Sequence, residues 1–120
     1  MTAKETIERY FKAIHKGGWA DYVADDFIFI NSNLDKVTHG KEAYIQGAGQ
    51  FFRATTAVEI RKSFCEGEKM ALIARYQLRS PKGNTGTCDV AEFITVGDGK
   101  LTSSAIFFDT KALEAFKARG

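Results

Sequence analysis

The sequence is short of cysteine, of long apolar runs and of any dominant charge, and each shortage removes a class of protein. Two cysteines, Cys65 and Cys88, are too few for a disulfide scaffold and lack the spacing of metal ligands. No window approaches the ~20 apolar residues of a membrane-spanning helix. The opening MTAKETIERYF carries charges where a secretory leader needs an apolar stretch. Lys and Arg number 17 against 15 Asp and Glu, interspersed, with no basic stripe to follow a nucleic-acid backbone. No Gly-rich loop of phosphate-binding form follows a strand, and no Ser-His-Asp order stands out. The expectation is a cytoplasmic protein with reduced thiols, no nucleic-acid or membrane partner, and no metal or other cofactor.

What is present points to one α+β domain spanning residues 1–120, large enough for a real core. Thr2 and Glu5 have capping-box spacing, and Ile7, Tyr10, Phe11 and Ile14 follow at helical intervals up to Gly17-Gly18. Trp19, Tyr22 and Val23 suggest a short second helix. Phe27-Ile28-Phe29-Ile30 reads as a short strand buried on both faces, and 31–38 as a polar loop. His39-Gly40 opens a third helix with Ala43, Tyr44, Ala48, Phe51 and Phe52 inward. From Ala57 the period becomes two, giving a meander of four long strands and then a helix behind Asp109-Thr110. The chain is organised around 87–110, two strands joined by a hairpin at Gly97-Asp98-Gly99-Lys100. On its first strand Asp89, Ala91, Phe93 and Thr95 share one face; Cys88, Val90, Glu92, Ile94 and Val96 share the other. This order describes a curved, mostly antiparallel sheet wrapped around the N-terminal helices as a cone. Its concave side is a natural place for a pocket.

Four stretches carry a resemblance: RYFKAIHKGG after a capped start, ADDFIFIN, HGKEAYIQ, and AEFITVGDGKLTSSAIFFD. In this order they resemble the nuclear transport factor 2-like superfamily, in its SnoaL-like and ketosteroid-isomerase-like branch. The resemblance covers nearly the whole chain. It implies a cone with an apolar pocket for a small molecule, usually dimeric through the outer sheet face, without implying one chemistry. Isomerases, cyclases, epoxide hydrolases, dehydratases and non-catalytic binding domains share the fold.

By that analogy the pocket face of the central strand is the one bearing Asp89 and Phe93. Tyr10 matches a tyrosine with which ketosteroid isomerases stabilise an oxyanion, although it reads equally as a core residue whose hydroxyl finds a partner. Asp89 matches a second, protonated donor, raised by an apolar wall. Its alternative is an ion pair with Arg75 or Arg79. Asn31 stands where the isomerases carry their general base, and an amide cannot take up the proton. His39 and Asp35 could substitute, although His39, just before Gly40 at a helix start, reads equally as a loop or capping residue. Asp109 is either an acidic site residue or a helix cap. Trp19, Phe27, Phe29, Phe51, Phe52, Leu72, Tyr76, Phe93 and Phe108 complete the expected walls. The sequence therefore supports a small-molecule-binding domain, with either cofactor-independent acid–base catalysis or binding alone; the remaining alternative is a structural dimeric domain whose pocket is packed shut. Val90, Ile94 and Val96, on the opposite sheet face, are the expected dimer patch.

Overall fold

The computed structural model describes residues 2–119. Helix α1 (Ala3–Lys16) is closed at its start by the reciprocal Thr2–Glu5 capping box, with the Glu5 backbone N–H donating to Thr2 Oγ1 at 3.1 Å. A 3-10 turn (Trp19–Tyr22) follows, where the sequence suggests a short helix. Then come β1 (Val23–Asn31), β2 (Lys36–His39), α2 (Lys41–Ala54), β3 (Thr55–Glu66), β4 (Lys69–Arg79), β5 (Thr85–Gly97), β6 (Lys100–Phe108) and α3 (Thr110–Ala118). The six strands form one sheet in the order β2-β1-β6-β5-β4-β3. All neighbours are antiparallel except β1 and β6, which run parallel. This is the α+β architecture expected, with one addition. Residues 36–38, expected to lie in a loop, and His39, expected to open a helix, pair with β1 as the edge strand β2.

The sheet curves over α1. The inward stripe of that helix, Ile7, Tyr10, Phe11 and Ile14, is buried. It meets alternate residues of β4 (Met70, Leu72, Ala74, Tyr76, Leu78) and β5 (Cys88, Val90, Glu92, Ile94, Val96), which are buried as well. Complete burial of a side chain such as Ile7 or Phe27 contributes roughly 1.5–3 kcal/mol. Two glycines in α2, Gly47 and Gly49, each weaken it by ~1 kcal/mol relative to alanine. Tyr44 and Phe52 of the same helix are buried against the core and compensate.

Strand β5 is where the structure corrects the sequence reading most. Its Cys88-Val90-Glu92-Ile94-Val96 face is the inner one, and its Asp89-Ala91-Phe93-Thr95 face is the outer one. The register leaves no freedom. Arg75 lies opposite Asp89, and Leu72 lies opposite Glu92, and directly opposed residues share a face. Val90, Ile94 and Val96 are therefore core residues, not the expected dimer patch. β1 is likewise covered on one side only: Phe27 is buried, while Ile28 and Ile30 are 37% and 36% exposed. Burial on both faces was the expectation there.

Candidate active site

Four polar side chains from four elements meet inside the cone. Tyr10 comes from the inward stripe of α1 and Tyr44 from α2. Their hydroxyls are 2.6 Å apart and buried. Tyr76, on the inner face of β4, donates from its hydroxyl to Oε2 of Glu92 on β5 at 2.6 Å. All four side chains are at most 5% exposed. Burial drives the Glu92 carboxyl up to about 7 from its ordinary 4.5, against the opposing effect of the Tyr76 hydrogen bond. Burial also holds Tyr10, Tyr44 and Tyr76 as neutral phenols, each raised above its ordinary value, with the Glu92 charge adding to the effect on all three.

Aromatic rings enclose this centre. Phe27 and Phe29 lie against Tyr44 with centroids 4.6 and 4.9 Å away. Phe52 stacks on Tyr76 with the rings 9° from parallel, and Phe51 meets Tyr76 edge-on at 5.1 Å. Trp19 packs edge-on against Phe52 at 4.7 Å, Tyr44 at 5.9 Å and Tyr10 at 6.4 Å. Such rings exclude water, and exclusion of water is what makes a buried carboxyl weakly acidic.

The chemistry available follows from counting protons. Two phenols that share one hydrogen bond keep one hydroxyl proton to donate elsewhere. Glu92, poised near neutrality, can donate when protonated and accept when ionised. Together they offer hydrogen bonds to a carbonyl or enolate oxygen and a group able to move a proton. Among the described residues no cluster of three or more His, Cys, Asp or Glu side chains could hold a metal ion.

The residues expected from sequence divide cleanly. Tyr10, Trp19, Phe27, Phe29, Phe51, Phe52 and Tyr76 gather at this centre, and Leu72 is buried beside it, opposite Glu92. Asn31 follows Phe29 on the same side of β1, and its side-chain oxygen is buried without a hydrogen-bond partner among the described residues. Phe108 packs at the edge of the core, and its backbone is clamped by the Asn33 side chain at 2.9 and 3.1 Å. Asp89 is on the outer surface, held by Arg75 in a two-pronged ion pair at 2.8 and 3.0 Å. The Arg75 hydrogen bonds keep its carboxyl below the usual range, so it is no protonated donor. Phe93, four residues along the same outer face, is 56% exposed and lines no interior wall. His39 ends β2 opposite Ile28, exposed. Asp109 caps α3, its Oδ1 accepting from the Ala112 backbone at 3.0 Å. The sequence reading missed Glu92 and the polar role of Tyr44. The signal for Glu92 was the uniformly apolar company it keeps at alternate positions of β5.

One surface cleft, about 400 Å³, lies among Asp25, Asp26, Lys41, Asp98 and Lys100 and touches none of the central four. A second, about 330 Å³, is bounded by Trp19 and Phe52, the two rings that cover the Tyr10–Tyr44 pair.

Known proteins of similar structure share this framework. A protein from Jannaschia sp. CCS1, provisionally named a SnoaL-like polyketide cyclase, is 22% identical. It aligns over 94% of this chain and 89% of its own, with a TM-score of 0.77. TerC, crystallised with polyporic acid, is 18% identical over 95% of this chain and 96% of its own, with a TM-score of 0.74. AclR from Streptomyces galilaeus, provisionally named a hydroxylase, is 13% identical over 98% and 96%, with a TM-score of 0.80. At these identities the likeness establishes the fold. No curated protein matches the chain. Residues 7–104 match the family described as the SnoaL-like domain, and with that match spanning most of its length, the chain belongs to the SnoaL-like domain family.

Proposed function

We propose that the chain binds a small, largely apolar molecule with a carbonyl oxygen at the Tyr10–Tyr44–Tyr76–Glu92 centre. There it acts as a cofactor-independent acid–base enzyme of the isomerase, cyclase or dehydratase kind. The observation that carries this reading is Glu92, a buried carboxyl on the inner face of the sheet, held by the Tyr76 phenol and raised to about 7. A carboxyl placed in the core for stability alone is costly, whereas a proton-transfer group is most effective with its pKa near the working pH. Family membership and the names of the cyclase-like relatives agree with a small-molecule site. Binding without turnover is the second reading, favoured by Asn31 at the position where the resemblance to steroid isomerases puts their base.

Exchange at carbon separates the two. With 2-tetralone, an apolar bicyclic ketone, in deuterated water, the enzyme reading expects faster loss of the α-proton signal in proton NMR. Glu92→Gln should lower that rate by 10²-fold or more. Saturable binding with no accelerated exchange would leave binding alone.

A dimer through the outer sheet face belongs to the same proposal, on residues other than those first expected. Phe64, Ala71, Phe93, Ala105, Ile30 and Val37 lie in one cross-strand row from β3 to β2. Phe64 is 78% exposed. Large and small residues alternate along this row, so the phenylalanines of one copy can seat over the alanines of another. An apolar row of this extent is the kind of surface that marks an interface.

A further inference from the structure

Trp19, the single tryptophan, sits between the interior and the outside. Its ring packs edge-on against Tyr10 and Tyr44, and the residue also lines the 330 Å³ cleft between the ends of α1 and α2. It follows Gly17 and Gly18, both at positive φ (96° and 86°), a backbone that other residues adopt only with strain. The cleft has an apolar floor of Ile14, Trp19 and Phe52 and a rim of His15, Lys16 and Arg53, and none of the described residues that line it is a carboxylate.

The rim cations lie in the last turns of their helices, where they offset the negative helix ends. Two helix C-termini amount to about −0.5 charge each. Lys16 and Arg53 together exceed that by about one positive charge, before His15 is considered. A mouth with this balance and an aromatic floor suits a ligand with a flat apolar body and an anionic group.

We propose that this cleft, gated by Trp19, is the entrance to the tyrosine–glutamate centre and that it selects apolar ligands bearing a negative charge, such as aromatic carboxylates. The proposal rests on reading that centre as a small-molecule site. The ligand's ring displaces the indole against Phe52, and its charge stays at the hydrated rim with Lys16 and Arg53. Burying the charge beside Glu92 would instead cost heavily.

The test uses the one indole N–H resonance of Trp19 and two probes of nearly equal shape, 2-naphthoate and 2-naphthamide. The expected result is that naphthoate shifts the resonance with about tenfold higher affinity at low salt, and that added salt narrows the difference. Lys16→Gln/Arg53→Gln, at two exposed positions, should abolish the preference while leaving naphthamide binding unchanged. Equal affinities, or a preference that survives the double substitution, would overturn charge selection and leave the interior site standing. Perturbation of the Glu92 carboxyl by either probe without any change at Trp19 would overturn the entrance. If neither probe perturbs Trp19 or Glu92, the entrance and the small-molecule reading fall together.

Discussion

Replacing Glu92 by glutamine tests the energetics of the buried centre apart from any ligand. Raising a carboxyl from 4.5 to about 7 corresponds to about 3 kcal/mol of preference for the neutral form in the folded state. The sign follows from linkage. A carboxyl whose folded pKa lies above its unfolded one supports the fold fully below about 4.5. That support is lost as the pH rises through about 7. Glutamine at this position keeps an oxygen to accept the Tyr76 hydroxyl and never ionises. Relative to wild type, Glu92→Gln should therefore be close to neutral at pH 4.5 and more stable at pH 8.5 by up to about 3 kcal/mol. Urea denaturation at the two pH values reads this directly. At an m-value of about 2 kcal/mol/M, the midpoint gap between variant and wild type should widen by about 1.5 M at the higher pH. Subtracting wild type from variant at each pH cancels the titration of every other group. A gap independent of pH, or one that narrows as the pH rises, would refute the account of Glu92 as a desolvated carboxyl.

Three further outcomes follow from the same geometry. Wild-type protein should not isomerise Δ5-3-ketosteroids at enzymatic rates, because Asn31 supplies no proton acceptor where one is worth 10²–10⁴-fold; a steroid turnover assay, with Asn31→Asp as companion, checks this. Tyr44→Phe strips the Tyr10 hydroxyl of its buried partner and should cost about 1–3 kcal/mol in chemical denaturation; a loss near zero would mean the pair is not formed. Phe93→Asp, in the middle of the exposed outer row, should give a monomer by light scattering with unchanged helix content, whereas a wild-type monomer at micromolar concentration would remove the dimer.

The fold was largely legible because its signals are local. The Thr2–Glu5 box and the Ile7, Tyr10, Phe11, Ile14 stripe define α1, and the period of two from Ala57 defines the meander. β2 was not legible, since Lys36 to His39 holds one apolar residue, Val37, and is a strand only because β1 lies beside it. The site was half legible. Its aromatic wall and Tyr10 emerge from inward-facing positions, but the acid was assigned to the wrong face of β5. Analogy favoured Asp89 as the interior acid, while the apolar series Cys88, Val90, Ile94 and Val96 argued that the other face is the inner one. The Arg75–Asp89 pair across β4 and β5 said the same. Hydrophobic burial decides strand parity, and a one-residue change of parity turns every side chain over. Tyr44 could be placed on the inner side of its helix, yet its hydrogen bond to Tyr10 spans 34 residues of sequence and has no local signal.

The most direct test of the whole account is an NMR titration of the Glu92 side-chain carboxyl carbon in the free protein. With the carboxyl buried and bonded to Tyr76, the midpoint should fall near 7. It should move when Tyr76→Phe removes the one hydrogen bond that favours the ionised form, and it should move upward. A midpoint near the ordinary 4.5, unaffected by that substitution, would mean that Glu92 is solvated and that the proposed acid–base centre does not exist.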